Sequence, residues 1–329
     1  MIWFWFGFFA FVAVLLALDL GVLHRKAKEP TIKSAAYWTV GWMALGFAFT
    51  GVVYLMYEHA WLGVTLFEKG TDGVVRRSTD PGFNSAVTYV SAYLLEYALS
   101  VDNIFVISLL FHSYRVPSKY QHRVLFWGII GAIVFRLVML AGGARLAQTF
   151  DWIFYVFGAY LGWQGFKLLR HDDDEPGQDE SYAVRFLRKV VRVVDGVDGE
   201  HGGRFSVKID GRRALTTIAV CLISIELTDV VFALDSIPAV LSVSEDVFIM
   251  VTSNILAIMG LRSLYFVLAG AMDKFKYLKI ALAVLLMVIG AKLAAHNHVE
   301  VPHVLSLALI AGIIGAGVLA SVISTRRDG

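Results

Sequence analysis

The sequence predicts an all-α, polytopic membrane protein of nine transmembrane helices that contains an inverted repeat of three helices. Hydrophobic residues make up 57% of the chain and charged residues only 17%, below the roughly 25% of an average soluble domain. The mean hydropathy is +0.66, and the charged residues concentrate between long apolar stretches. A chain of this composition is expected to place most of its residues in lipid.

Nine apolar stretches are long enough to cross a bilayer, which requires about 20 residues in a helix. The first has no basic segment before it and continues past the length of a cleaved signal, so we expect it to be retained as a helix. The stretches begin near Ile2, Ala36, Asn84, Gln121, Phe150, Arg213, Asp246, Phe275 and Val301.

A pattern of polar residues occurs twice within these stretches. Each copy has an acid, then an aspartate followed by an amide or hydroxyl, then an arginine, and finally a glycine-x-lysine. Because each copy covers an odd number of helices, the second is predicted to enter the bilayer from the opposite side. The first copy contains Glu96, Asp102, Asn103, Arg136, Gly165 and Lys167, and the second contains Asp229, Asp235, Ser236, Arg262, Gly290 and Lys292.

The repeats divide the chain into five parts. Residues 1–83 hold two leading helices and an outer loop, 84–170 the first repeat, 171–212 a cytoplasmic loop, 213–296 the second repeat, and 297–329 a closing helix and a cytoplasmic tail. The acidic run at 171–175 is typical of a solvated linker, or it could gather cations. Two short alternating runs around glycines at 191–212 predict a β-hairpin.

Lysine and arginine residues separate the connections into two alternating sets, as the positive-inside rule requires. The contrast is weakest in the outer loop before residue 84, where Arg76 and Arg77 add positive charge to a connection predicted to lie outside. The alternation predicts nine spans with the N-terminus outside and the C-terminus in the cytoplasm.

Acids inside the apolar stretches are the candidate functional residues, because an ionisable group at mid-membrane costs about 3 kcal/mol and calls for a partner or a function. Glu226 and Asp229 share a helix face and could grip one ion. Six residues turn a helix by roughly 240°, so Glu96 and Asp102 would not share a face. Either the helix unwinds, which Pro238 favours in the second repeat, or each acid faces a different neighbour.

The predicted site contains only oxygen donors, which suit hard divalent cations such as Mn²⁺, Mg²⁺ or Ca²⁺. Asp19, near the inner end of the first helix, could add a carboxylate or guard the inner mouth. Carboxylates removed from water favour their protonated form, so release of a divalent cation could be matched by proton uptake. The predicted metal ligands are Glu96, Asp102, Asn103, Glu226, Asp229, Asp235, Ser236 and Asp19.

Arg136 and Arg262 have two interpretations. They could neutralise Asp102 and Asp235 as structural ion pairs, or they could act as gates. Five deep acids against two deep arginines would leave net negative charge for a cation.

Other polar residues have simpler explanations. Lys167 and Lys292 are expected to anchor helix ends at opposite membrane faces. Cys221 is expected to be a small core residue. A group near the last helix is either a metal site or an ordinary polar loop, and it contains His296, His298, Glu300 and His303.

Several classes of protein are not supported. The sequence has no evident nucleophile-and-base pair, phosphate-binding glycine loop or nucleotide motif, so it predicts neither an enzyme nor an ATP-driven pump, and no cofactor. Its basic residues lie beside membrane segments rather than in one patch, so no nucleic-acid partner is expected. The expected partners are the lipid bilayer and a divalent metal ion, with the oligomeric state left open.

Three segments resemble the TerC family of integral membrane proteins, and most of all its Alx branch: ALDLGVLHRK (17–26), LSVDNIFV (99–106) and IELTDVVFALDSIPAV (225–240). The resemblance covers nearly the full chain. It implies Mn²⁺ export across the bacterial cytoplasmic (inner) membrane, with the acidic motif positions acting as the site. One departure is Thr217, where the family pattern has proline after threonine at the start of the sixth span.

Three functions are compatible with this resemblance. Export of Mn²⁺ agrees with the midplane acids and the repeat. Direct handling of tellurite, which the family name suggests through tellurium resistance, is disfavoured because an oxyanion should meet arginine or lysine rather than an acidic core. A non-transporting factor that assists membrane-protein insertion, as proposed for plant relatives, would need no desolvated acids.

Overall fold

The computed structural model describes residues 2–21, 31–64, 67–69, 75–150, 152–170, 193–194, 203–209, 212–269, 276–295, 298–299 and 301–328. Each predicted apolar stretch contains one helix, except that α7 and α8 share the seventh. The helices are α1 (Ile2–Gly21), α2 (Ile32–Glu58), α3 (Pro81–Ser113), α4 (Ser118–Thr149), α5 (Ile153–Arg170), α6 (Thr217–Leu241), α7 (Val247–Met259), α8 (Leu261–Ala269), α9 (Lys276–Ala294) and α10 (His303–Asp328).

Six of these helices are long and apolar enough to cross a membrane, namely α2, α3, α4, α6, α9 and α10. The pair α7 and α8, bent by 45°, would make a seventh. In α1 the apolar helix is shorter (Trp3–Leu18), and α5 does not qualify because Gln164, Lys167 and Arg170 lower its hydropathy. The chain is therefore an all-α polytopic membrane protein, and the count of nine spans stays a prediction.

The outer surface of the bundle is apolar, as a surface in contact with lipid should be. Trp3 is 84% exposed and Tyr37 80%, and Val138, Trp163 and Leu319 are each more than 60% exposed. A soluble protein rarely shows so much contiguous apolar surface. The same helices also bury a large apolar core, so apolar residues cover the outside of the bundle as well as fill its inside.

The centre of the bundle is formed by α3 and α7. Helix α3 packs against α2, α6, α7 and α10, while α4 packs against α6 and α7. Every residue of α7 from Phe248 to Met259 is buried, which agrees with a helix that is apolar on all sides. Among the acids of α3 and α6, Glu96 is fully buried, and the other four are half-buried, namely Asp102, Glu226, Asp229 and Asp235.

Helices α5 and α9 make the closest helix crossing. A Cβ atom on Gly158 would lie 2.7 Å from the carbonyl oxygen of Gly290, and one on Gly290 would lie 2.7 Å from the carbonyl oxygen of Gly158. A Cβ on Gly165 would lie 2.6 Å from the carbonyl oxygen of Ala283. Only glycine allows the two backbones to approach this closely, as in other membrane helix pairs.

The β-hairpin predicted at 191–212 forms with a different partner strand. Strand β4 (Ser206–Ile209) pairs antiparallel with β5 (Arg212–Thr216), and β3 (Val193–Val194) pairs with β5 in parallel. A second antiparallel pair, β1 (Phe67–Lys69) with β2 (Val75–Arg77), lies between α2 and α3. Because β5 takes residues expected to open the sixth span, α6 begins later than predicted.

The start of α6 explains the departure at Thr217. The Thr216 side chain caps the helix by accepting from the amide of Ala219 at 3.4 Å, and it also donates to the Arg204 carbonyl at 2.7 Å. Thr217 is thus the first helical residue, the position where proline is favoured but not required.

Unwinding near Asp235, which was one of two interpretations and the one favoured by Pro238, does not occur in the described helix. Helix α6 is continuous from Thr217 to Leu241 with Pro238 inside its last turn, and α3 is continuous through Glu96 and Asp102. A proline this close to a helix end disturbs few backbone hydrogen bonds. The interruption lies instead at Gly260, between α7 and α8.

Candidate functional site

Arg136 is the centre of the buried polar site. It lies in the middle of α4 and is 2% exposed. Its Nη2 donates to Oδ1 of Asp229 at 3.1 Å and its Nε to Oδ2 at 3.4 Å, while Nη1 donates to Oε1 of Glu96. Nη1 also reaches Oγ of Ser236 at 3.5 Å. One guanidinium therefore joins the first acids of both copies of the motif.

Glu96 is fully buried and has a partner on each oxygen. Its Oε1 accepts from Arg136, and its Oε2 accepts from Nδ2 of Asn254 on α7 at 2.8 Å. A charge without solvent is tolerated only when it is paired and hydrogen-bonded, and Glu96 meets both conditions. Asn254 was not anticipated, because an asparagine within an apolar helix gives no sign of its partner.

Asn103 completes the shell around the guanidinium. When its amide is oriented so that Nδ2 donates to the Leu99 carbonyl at 3.2 Å, its Oδ1 accepts from Nη2 of Arg136 at 3.2 Å. The polar residue after the second acid in each copy, Asn103 or Ser236, is therefore within reach of Arg136.

An ion pair of Arg136 with Asp102, one of the two interpretations of this arginine, is not found among the described residues. Arg136 pairs with Glu96 and Asp229, because the rotation between Glu96 and Asp102 along a continuous helix turns only Glu96 towards α4. Of the two interpretations of the spacing between Glu96 and Asp102, the one in which each acid faces a different neighbour is confirmed.

Asp102 and Asp235, the second acids of the two copies, lie close enough for their charges to interact. Asp235 accepts from Nε2 of Gln164 at 3.1 Å and is hydrogen-bonded to the hydroxyl of Tyr160. Gln164 and Tyr160, both of α5, are thus the hydrogen-bond partners of Asp235.

Two lysines accompany this aspartate pair. Lys279 of α9 lies near Asp102, and Lys167 of α5 lies near Asp235. Lys167 was expected only to anchor a helix end, and a count of deep arginines alone leaves out these two positive charges. Lys167 is therefore more than an anchor. Lys292 donates to Oγ of Ser306 at 2.8 Å, away from the acids.

Glu226 occupies a space that a glycine leaves open. A Cβ on Gly131 of α4 would collide with the Glu226 carboxylate, so this glycine is required for the observed position. Glu226 lies close enough to Asp229 for their charges to interact, as expected for residues three apart on a helix. Among the described residues, Arg136 hydrogen-bonds to Asp229 but not to Glu226.

A narrow cavity of about 40 Å³ lies beside this cluster. Asn103, Thr228, Asp229 and Arg262 supply its polar lining, and the remaining lining residues are mainly apolar. A water molecule needs roughly 10–15 Å³ measured in this way, so the cavity has room for a few waters or one small ion. Arg262 is 2% exposed and lies just after the interruption at Gly260.

The acids do not form one closed metal site in the described conformation. Within the residues that the structure describes, no group of three or more histidine, cysteine, aspartate or glutamate side chains could hold a metal ion. The carboxylates are instead arranged as two pairs, Asp102 with Asp235 and Glu226 with Asp229.

The remaining predicted residues lie apart from this site or outside the described side chains. The helix containing Asp19 is described, but its side chain is not; His296 and Glu300 also lie outside the described residues. The ring of His298 packs near Tyr155, with centroids 6.2 Å apart, and Nδ1 of His303 lies 3.0 Å from Oγ1 of Thr88. Cys221 is buried in α6, as expected.

The fold and the site together define a class: polytopic α-helical membrane proteins with paired acids and arginines in the bundle interior. The family model described as "Integral membrane protein TerC family" matches residues 82–329. The chain belongs to the TerC family, and the resemblance stated from its motifs is confirmed.

Relatives of this chain are membrane proteins of similar length. It is 40% identical over 323 residues to the uncharacterized membrane protein STKORF319 of Myxococcus xanthus, covering 98% of this chain and 93% of the relative. It is also 40% identical over 311 residues to Alx of Escherichia coli strain K12, covering 94% and 91%. Alx of Salmonella typhi is 38% identical over the same length. Both Alx proteins are named as proposed membrane-bound redox modulators. No solved structure matches the chain.

Proposed function

We propose that this protein is a secondary transporter that exports divalent cations, Mn²⁺ first, from the bacterial cytoplasm. The observation that carries the proposal is the meeting of acids from both motif copies inside the bundle. Asp102 and Asp235 interact, and Glu96 and Asp229 share Arg136. Buried charge of this kind is expensive in a membrane and is typically retained for ion pathways.

The proposal includes the inverted repeat. Aligning Gly165 with Gly290 places Gly158 on Ala283. The contact of Gly158 with Gly290 and the contact of Gly165 with Ala283 therefore join equivalent positions, with the two repeats interchanged. Such a pair supports a local two-fold axis between antiparallel helices, which is the symmetry of inverted-repeat transporters. The proposed orientation, with the N-terminus outside and the C-terminus cytoplasmic, is supported by the distribution of lysine and arginine between the connections.

The donor chemistry favours a hard cation. Asp229, Asn103 and Thr228 contribute carboxylate, amide and hydroxyl oxygens to a cavity that is otherwise mainly apolar, and these ligand types suit Mn²⁺, Mg²⁺ and Ca²⁺. The Asp229 carboxylate lines this cavity and is also paired with Arg136. An incoming divalent cation would therefore compete with the guanidinium for the same carboxylate, and its release would let Arg136 return. Proton uptake by an acid that Arg136 does not contact, such as Glu226, would make the exchange an antiport.

The experiment is uptake of Mn²⁺ into inverted membrane vesicles at several pH values. We expect wild-type vesicles to accumulate Mn²⁺ and Asp102→Asn and Asp235→Asn vesicles to lose most of this uptake. Asp80→Asn is the matched control, because Asp80 is an exposed acid just before α3. Uptake no greater than in vesicles without the protein, or full uptake in both variants, would refute the proposal.

The names of the Alx relatives raise a redox role as a second candidate. A dithiol couple needs two thiols, and this sequence contains one cysteine, the buried Cys221. Replacing Cys221 with serine should therefore leave Mn²⁺ uptake unchanged. If the replacement abolished uptake in a folded protein, thiol chemistry would have to be part of the mechanism.

A further inference from the structure

A second cavity lies at the end of α3, apart from the acidic cluster. Its volume is about 540 Å³, within the range of roughly 300–1,000 Å³ that is typical of small-ligand pockets. The polar side chains that line it are Ser108, His112, Arg115, Gln121 and Tyr265. This cavity is more than ten times larger than the 40 Å³ cavity beside Asp229, so it can hold a polyatomic ligand.

The charge of this cavity is opposite to that of the midplane site. Arg115 is positive, His112 can be, and no carboxylate is among the lining side chains that the structure describes. Both side chains are exposed, and neither forms an ion pair or side-chain hydrogen bond within the described part of the chain. Such a lining repels a divalent cation and attracts an anion, so the cavity does not belong to the proposed cation path.

The backbone of Arg115 is in an unusual conformation. Its φ is 50°, in the left-handed region, and the amide of Val116 donates to the Phe111 carbonyl at 2.9 Å across the helix end. Glycine is the usual residue at this position of a helix terminus, because any side chain there adds strain. The strained position of Arg115 beside a cavity motivates a test of its side chain as a ligand-binding group.

The neutral wall of the cavity is held in place by its own hydrogen bonds. The Tyr265 hydroxyl donates to Oε1 of Gln121 at 3.1 Å, and Nε2 of Gln121 donates to the Val116 carbonyl at 3.1 Å. The Tyr265 ring packs edge-on against Phe111, with centroids 5.4 Å apart. A wall fixed in this way leaves Arg115 and His112 as the side chains free to bind a ligand.

We propose that this cavity binds a phosphate-bearing anion through the Arg115 guanidinium and the His112 imidazole. The planar guanidinium can donate two parallel hydrogen bonds to a phosphate group, which a point charge cannot do. The cavity lies where one membrane-length helix ends and the next begins, so the phosphate can belong to an anionic phospholipid headgroup or to a free ion. Tyr265 also lines the midplane cavity, which gives a bound anion a contact with the cation site.

Binding is tested with the full chain and without any transport assay. The midpoint of thermal unfolding is measured in neutral detergent with inorganic phosphate against chloride at equal ionic strength. It is also measured in nanodiscs of phosphatidylglycerol against phosphatidylcholine. Either phosphate source, at about tenfold above its Kd, should raise the midpoint by roughly 2 °C. A response to phosphate alone assigns a free ion, and a response to phosphatidylglycerol alone assigns a lipid.

Variants separate the site from general charge effects. Arg115→Gly removes the guanidinium but suits the left-handed backbone, so this variant should fold and lose most of the shift. His112→Gln should reduce the shift. Arg145→Gln removes an equal charge from an exposed position on α4 and should keep the wild-type shift. The absence of a wild-type shift with both probes, a full shift in Arg115→Gly, or an equal loss in Arg145→Gln would each overturn the proposal. Because the readout is binding, these outcomes are independent of Mn²⁺ export.

Discussion

Arg136 donates from Nη2 to Oδ1 of Asp229 over 3.1 Å, which joins a helix of the first motif copy to a helix of the second. The same guanidinium reaches Glu96, the position in the first copy that corresponds to Asp229. One positive charge thus serves two acids that are equivalent by sequence. This relationship makes Arg136 a support of the described conformation as well as a competitor for any cation that binds these acids.

Replacing Arg136 with glutamine should strongly destabilise the protein. The change leaves Glu96 without its ion-pair partner in the interior, and breaking a buried pair costs about 3–5 kcal/mol. The measurement is thermal unfolding in detergent, with Arg145→Gln on the exposed face of the same helix as the control. The triple variant Glu96→Gln, Arg136→Gln, Asp229→Asn should recover part of the loss. Wild-type stability of the single variant would show that the ion pairs contribute nothing.

Replacing Gly158 with alanine should disrupt the crossing of α5 and α9. Its Cβ would lie 2.7 Å from a backbone carbonyl that cannot move aside, and such overpacking costs about 1–3 kcal/mol. Gly162→Ala is the matched control on the same helix, since a Cβ there meets nothing within 4 Å. Thermal unfolding of the two purified variants should show a lower midpoint for the first alone. Equal midpoints would mean that the crossing is looser than described.

Replacing Gly131 with alanine should displace the Glu226 carboxylate, because the new Cβ would take its space. We expect this variant to lose much of its Mn²⁺ uptake. Gly142→Ala, on the same helix and with nothing within 4 Å of its Cβ, should keep wild-type uptake and gain about 1 kcal/mol from the better helix propensity of alanine. Unchanged uptake in Gly131→Ala would remove the position of Glu226 from the mechanism.

Replacing Thr216 with alanine should destabilise the start of α6 by more than about 1 kcal/mol, the typical value for loss of a helix cap. Thr216 caps the helix and also donates to the Arg204 carbonyl, so two contacts are lost. Thr31→Ala, at the exposed cap of α2, loses one contact and should cost less. Thermal unfolding of both variants tests this order, and a reversed order would contradict the assigned role of Thr216.

The sequence was sufficient to predict most helices, because runs of about 20 apolar residues have few alternative structures. It also identified Glu96, Asp102, Asp229 and Asp235 as interior groups, since charges in such runs are rare. The approach of Asp102 to Asp235 agrees with the duplication of the motif.

The pairing of these acids could not be predicted, because it depends on which face of each helix turns towards which neighbour. Arg136 could reach Glu96 or Asp102, and only the rotation of α3 about its axis selects Glu96. Asn254 and Lys279 were missed for a related reason. The sequence does not show that their side chains lie near Glu96 and Asp102, respectively. Strand β5 was missed because its residues continue directly into an apolar helix.

The glycine crossing of α5 and α9 has a mechanical consequence. With carbonyl oxygens filling the space where side chains would be, neither helix can slide or roll past the other without a steric clash. Helices α5 and α9 should then move together as one rigid body. In a transporter built this way, opening to either side would be a rotation of the surrounding helices about this helix pair.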